Sequence, residues 1–162
     1  MAARLQRMIV TLLYALPGAP CIYYGDERGL QGGGDPFCRA TFPWAGKRAD
    51  CGEDLTEFYQ AVGLLRKGSS VLRQGMLACV AVDSDVLCVV RALHDGGLAL
   101  AVANRSDEPK LIAVDLRKLG IEALNGEIDC AMCSEQGGSA SAHVRDCLAE
   151  VQVPACSTSI FE

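Results

Sequence analysis

The chain has no cationic excess, no apolar run of membrane length and few aromatic residues. Fifteen Lys and Arg stand against twenty Asp and Glu in 162 residues, a net charge of −5. No basic patch gathers along the sequence, which excludes nucleic acid as a partner. The apolar run at residues 8–16 falls far short of the roughly 20 residues a membrane span needs, so no membrane partner is expected. Arg4 and Arg7 ahead of it imitate a secretory signal. A cut after Ala19 would put Pro20 next in line and Pro17 where a small residue is required, so the segment reads as a helix of a soluble protein. Repeats and long low-complexity tracts are absent. The nine cysteines are odd in number and scattered, in a chain too long to need stapling. They read as reduced thiols of a cytoplasmic protein.

The residues that are present concentrate in one stretch. Pro17-Gly18-Ala19-Pro20-Cys21-Ile22-Tyr23-Tyr24 ends in Gly25-Asp26-Glu27, and the chain continues through Gly32-Gly33-Gly34-Asp35-Pro36 to Arg39 and Trp44. Residues 21–24 form a short apolar and aromatic run bounded by Pro and Gly, the pattern of a strand covered on both faces. From Gly25 to Cys51 no period survives, a connection of about two dozen residues where about 4–6 is usual. Ordered loops of that length tend to bind something. This one holds the only tryptophan, two adjacent acids, a glycine triplet, Asp35 and Arg39.

Around it the order is helix, strand, loop, helix, then strands. Leu5, Met8, Ile9, Leu12, Leu13 and Leu16 have helical spacing over residues 3–16, and Pro17-Gly18 stops the helix. Asp50 and Glu53 have the spacing of a capping box. They precede a stripe of Leu55, Phe58, Tyr59, Val62 and Leu65, with Arg66 and Lys67 complementing the helix dipole and Gly68 ending it. Short β-runs follow at 77–82, 86–93, 98–103 and 111–114, separated by turn residues, the pattern of antiparallel hairpins in a sandwich. Residues 116–124 suit a helical turn, 134–141 a loop tip, and 127–132, 144–153 and 158–161 later strands. The boundary falls near residues 68–75.

Leu16-Pro17-Gly18-Ala19-Pro20-Cys21-Ile22-Tyr23-Tyr24-Gly25-Asp26-Glu27, followed by Gly33-Gly34-Asp35-Pro36-Phe37-Cys38-Arg39, closely resembles the α-amylase family of glycoside hydrolases. The best match is its neopullulanase, cyclomaltodextrinase and maltogenic amylase branch. The resemblance implies an α/β fragment, the last strand and flanking helices of a (β/α)8 barrel (residues 1–70), followed by an all-β C-terminal sandwich (71–162). It weakens after Val71, although Leu98 to Asn104 still looks like a central strand of that domain. The chain then reads as the C-terminal part of a longer enzyme acting on α-glucans. The family's nucleophile, acid and third carboxylate would lie upstream, so the resemblance implies no catalytic residue here.

Retaining glycosidases need two carboxyl groups flanking one bond. Asp26 and Glu27 are adjacent and, on a strand, point to opposite sides, so they cannot serve. Asp35 and Arg39 match positions that, in the family, hydrogen-bond sugar hydroxyls; they are the substrate-binding candidates for an α-glucan oligosaccharide. A carboxylate accepts from paired hydroxyls and a guanidinium donates in a fixed fork. The alternative is a surface Asp–Arg pair that only pins the loop. Glu27 is expected to order the backbone rather than touch sugar. Trp44 either stacks on a sugar ring or anchors the loop.

Cys130 and Cys133, with Cys147, Cys156 and His143 downstream, resemble a zinc pattern, but the second cysteine pair is too widely spaced; they read as incidental thiols. His94 sits in a turn without a partner. No metal and no cofactor is expected. A lone barrel strand has two unpaired edges, so residues 21–24 are expected to pair with another chain, giving self-association, or to be covered by the first helix. The competing readings are a non-catalytic carbohydrate-binding or protein-interaction sandwich, and a secreted disulfide-bonded protein.

Overall fold

The computed structural model describes residues 2–44, 51–121 and 124–162. Helix α1 (Ala2–Ala15) forms where the periodicity placed it. Its apolar residues do not all face one neighbour, however. Leu12, Ala15 and Leu16 pack toward a β-sheet, whereas Val10 and Tyr14 meet Leu55, Phe58 and Tyr59 of the second helical segment. Leu5 and Ile9 stay exposed. The helix is held closest where its side chains are small, at the fully buried Thr11 and Ala15.

After α1 the expected strand is absent: residues 21–24 belong to no sheet. Among the described residues no second strand lies alongside to take their N–H and C=O groups in a ladder, and an extended segment without one is not a strand. Ile22 packs beside Val10, Leu55 and Tyr59, so α1 and the next helix cover one side of the segment. Tyr23 and Tyr24 are exposed. The chain then turns at Gly25, whose φ of 90° is left-handed, with Asp26 N–H donating to Tyr23 O at 3.2 Å. The edge-strand ground for self-association is therefore missing among the described residues.

Helix α2 (Thr56–Gly68) starts later than the capping-box spacing implied. Asp50 lies outside the described residues. The N-cap position is Leu55, which offers no side-chain cap; Asp54 just before it accepts from Thr56 N at 3.0 Å and Thr56 Oγ1 at 2.7 Å through its Oδ1. A third, short helix, α3 (Ser70–Gln74), occupies the expected boundary, with Ser69 Oγ accepting from Leu72 N at 2.9 Å.

Among the described residues nine strands follow: β1 (Met76–Ala81), β2 (Val86–Ala92), β3 (Leu98–Asn104), β4 (Lys110–Asp115), β5 (Gly126–Ile128), β6 (Cys130–Cys133), β7 (Ser141–Arg145), β8 (Leu148–Val153) and β9 (Ser157–Phe161). One sheet has the order β1-β2-β3-β9-β6 and the other β4-β8-β7-β5, all pairs antiparallel. Their facing sides enclose Val90, Leu100, Val102, Val114, Val144, Val151 and Phe161. Burying side chains of this size contributes about 1.5–3 kcal/mol each.

Two expected strands are divided. Residues 127–132 split at Asp129 into β5 and β6, which join different sheets. Residues 144–153 contain a hairpin turn at Asp146-Cys147, with φ of 49° and 62°. That turn uses two left-handed residues, as a type I′ hairpin requires. Cys147 stands where glycine is usual because its side chain is buried; its Sγ accepts from Leu124 N at 3.2 Å.

The outer face of the five-stranded sheet is covered too. Ala15, Val71 and Leu72 pack on Val89, Ala99, Ala101 and Ile160. Two arginines tie this layer together at the C-terminal end of α1, where carbonyls lack helical partners. Arg66 donates to Leu16 O at 2.8 Å and Gly18 O at 2.6 Å, and also to Tyr14 O. Arg91, on β2 and only 1% exposed, donates to Ala15 O at 2.8 Å, Leu72 O at 2.9 Å, and Gly75 O at 3.0 and 2.6 Å. Burial first, and then the charge of Arg66, lower the pKa of Arg91. A guanidinium nonetheless stays protonated. No helix among the described residues is long and apolar enough to cross a membrane.

Candidate functional site

The long loop is built on a closed neck. Leu30 and Cys51 form an antiparallel bridge, Gly52 N–H donates to Gly29 O at 2.6 Å, and Leu55 N–H donates to Glu27 O at 2.8 Å. Arg28 pairs with Asp54 at 2.7 Å across the same neck. Glu53, expected in a capping box, instead pairs with Arg7 of α1. The ends of the loop are thus joined to each other and to α1 and α2.

At the neck, Glu27 turns back on its own segment, its Oε2 accepting from Gly25 N at 3.1 Å. That is the backbone-ordering role expected of it. Burial, and then the neighbouring Glu27, hold the Asp26 carboxyl above the usual carboxylate range. These two carboxylates are neighbours on a single 3₁₀ turn (Asp26–Arg28); they do not face each other across a cleft.

Beyond the neck, a second 3₁₀ turn (Phe37–Arg39) brings Asp35 and Arg39 together. Arg39 Nη2 lies 3.3 Å from Asp35 Oδ1, with the side chains 71% and 68% exposed. Cys38 Sγ also reaches Asp35 Oδ1, at 4.0 Å; these contacts occupy little of a guanidinium with five N–H donors or a carboxylate with two oxygens. The pair is open to solvent and retains donors and acceptors for a diol.

What holds this turn was not found in the sequence. Tyr24 OH donates to Ala40 O at 2.9 Å, and Tyr23 OH reaches Cys38 O at 3.5 Å. The two rings lie 4.8 Å apart. Partial burial first, and then Tyr24, raise the Tyr23 phenol pKa. The tyrosines expected as strand residues are props under the turn that carries Asp35 and Arg39. The only available signal was two adjacent hydroxylated aromatics ahead of a long loop.

Trp44 is 86% exposed, its ring 4.6 Å from Phe42. It is not inserted into the core, so it does not anchor the loop by burial. The cysteine and histidine pattern does not converge: Cys130 is exposed, Cys147 and Cys156 are buried, and among the described residues no three His, Cys, Asp or Glu side chains are grouped to hold a metal.

No protein-family model matches the chain. Individual relatives do. A cyclomaltodextrinase of Geobacillus thermopakistaniensis is 37% identical over 114 residues, covering 68% of this chain and 19% of the relative. An intracellular maltogenic amylase of Bacillus subtilis is 31% identical over 122 residues, covering 74% of this chain and 20% of the relative. The chain therefore spans about a fifth of the length of these curated relatives. Among solved structures, an α-amylase from Geobacillus thermoleovorans complexed with acarbose superposes with a TM-score of 0.79, covering 99% of this chain and 33% of that one. At 17% identity that likeness speaks for the fold alone. The sequence matches, together with the fold they share, place this chain in the α-amylase family of glycoside hydrolases, beside its cyclomaltodextrinase, maltogenic amylase and neopullulanase branch.

Proposed function

We propose that the chain is the C-terminal part of a glycoside hydrolase acting on α-glucans, contributing sugar-binding side chains without the cutting groups. Residues 1–70 are read as the end of a (β/α)8 barrel and residues 71–162 as its β-sandwich. The observation that carries this is the Asp35–Arg39 pair, exposed on a turn propped by two tyrosine hydroxyls above a closed neck. A carboxylate accepting from one sugar hydroxyl and a guanidinium donating to its neighbour would fix a glucose unit in one orientation.

Affinity electrophoresis against amylose tests the grip. Hydrogen bonds to charged groups contribute about 1.5–3 kcal/mol. Asp35→Ala and Arg39→Ala are each expected to weaken retardation by about ten- to a hundredfold, since about 1.4 kcal/mol is tenfold. Retardation unchanged in both variants would move binding to the sandwich and sink the assignment. The chain alone is expected to release no reducing sugar from soluble starch. Measurable release would overturn the non-catalytic reading.

A cytoplasmic location goes with this proposal. All nine cysteines are free thiols, the state a reducing compartment maintains. Thiol titration of denatured protein isolated without reductant is expected to count nine. A count of one would favour a secreted, disulfide-bonded protein instead.

A further inference from the structure

The motif Cys130-Ala131-Met132-Cys133 has no part in the proposed grip. In an unbroken strand, residues three apart point to opposite faces of the sheet. Strand β6 is interrupted: Cys130 stands opposite Phe161, Met132 opposite Ile160 and Cys133 opposite Ser159, with the register shifting between Cys130 and Met132. Ala131 is the extra residue of a β-bulge, unopposed on β9. Phe161 and Ser159 are two apart and therefore share a face. The bulge thus carries both cysteines to that one face.

Packing agrees with the register. Phe161 lies in the core between the sheets, whereas Ile160 and Met132 pack on the helical side. Because β6 is the edge of its sheet, the face shared by the cysteines is at an open rim. Cys130 is exposed and Cys133 half-buried. Cys130 Sγ lies 3.6 Å from the carbonyl oxygen of Met132, in the peptide that leads into Cys133. Its side chain thus lies along the backbone that leads into Cys133. Although the residue as a whole is exposed, partial burial of the thiol, and then the neighbouring Cys133, raise the Cys130 pKa.

We propose that Cys130 and Cys133 form a two-thiol site for a soft, thiophilic ion of the class of trivalent arsenic or monovalent copper. The number of donors selects the class. A structural zinc site takes four ligands, and among the described residues no third His, Cys, Asp or Glu joins this pair. Soft ions favour thiolate sulfur and do not require a full tetrahedral set. Each thiol gives up its proton on binding.

Phenylarsine oxide tests the site directly. With the reduced chain, two As–S bonds form as two thiols each lose a proton and the oxide leaves as water, with no change in oxidation state. Peptide mapping by mass spectrometry is expected to find one phenylarsenic bridging Cys130 and Cys133. Cys130→Ser and Cys133→Ser should each lose that bridge, whereas Cys79→Ser, which removes an exposed thiol elsewhere, should retain it. Cys130 is exposed, so its serine variant keeps the fold, which circular dichroism verifies. Absence of the bridge from the wild-type peptide, or its persistence in Cys130→Ser, would overturn the assignment.

Discussion

Arg91→Ala is expected to lower the free energy of unfolding by about 3–5 kcal/mol, although the side chain contacts no carboxylate. The variant strands the carbonyls of Ala15, Leu72 and Gly75 in a layer closed to solvent. A buried acceptor left unsatisfied costs about 1–3 kcal/mol; water entering the vacated space recovers part of this. The three carbonyls belong to the end of α1 and to the end of α3, while Arg91 belongs to β2. Losing it therefore loosens helices and sheet together. Arg91→Lys keeps the charge and loses the fork that reaches several carbonyls, so it should fall between the wild type and the alanine variant. Urea denaturation followed by circular dichroism reads both. A loss below about 1 kcal/mol for Arg91→Ala would mean that water satisfies those carbonyls as well as arginine does.

Arg91 also shows where the sequence was readable. It interrupts Val86-Leu-Cys-Val-Val-Arg-Ala, an apolar run recognisable as a strand buried on both faces. A lone cation in such a run implies buried acceptors, but their identity depends on which helix covers the sheet. The hairpin at residues 141–153 had a clearer signal. Buried residues are even-numbered at Ala142 and Val144 and odd-numbered at Ala149, Val151 and Val153, and that change of parity is incompatible with one regular strand. It went unread because Asp146-Cys147 lacks the usual glycine.

The failure at residues 21–24 has another cause. An apolar run states a preference for extended backbone, but a strand exists only with a partner. The tyrosine hydroxyls under the Asp35–Arg39 turn were invisible for a related reason. Tyr24 and Ala40 are 16 residues apart in sequence, as Tyr23 and Cys38 are 15 apart, and no periodicity reports such a pairing. The Asp35–Arg39 pair was legible from the family resemblance, and Pro36 stiffens the stretch between its two members.

Gly29→Ala is expected to open the neck of the loop while leaving the sandwich folded. Gly29 has φ of 66°, and a Cβ there would lie 2.4 Å from the carbonyl oxygen of Glu53 and 3.0 Å from the carbonyl carbon of Gly52. The left-handed conformation alone costs an alanine roughly 1–2 kcal/mol. The clash is with backbone, so relief requires the two sides of the neck to separate. That breaks the Gly52-to-Gly29 hydrogen bond and the Leu30–Cys51 bridge. Amide exchange at Leu30, Gly52 and Leu55 should accelerate, while β2 and β3 stay protected, as in local opening of a segment with few buried contacts. Gly18→Ala is the control: its φ is 90°, with nothing within 4 Å of the added carbon. It tests the strain without the collision. If the neck is what presents Asp35 and Arg39 to sugar, Gly29→Ala should weaken amylose retardation as much as Asp35→Ala does, and Gly18→Ala should not. Equal amide protection in Gly29→Ala and wild type would show that the loop keeps its shape without this crossing, and the role given to the neck would fall.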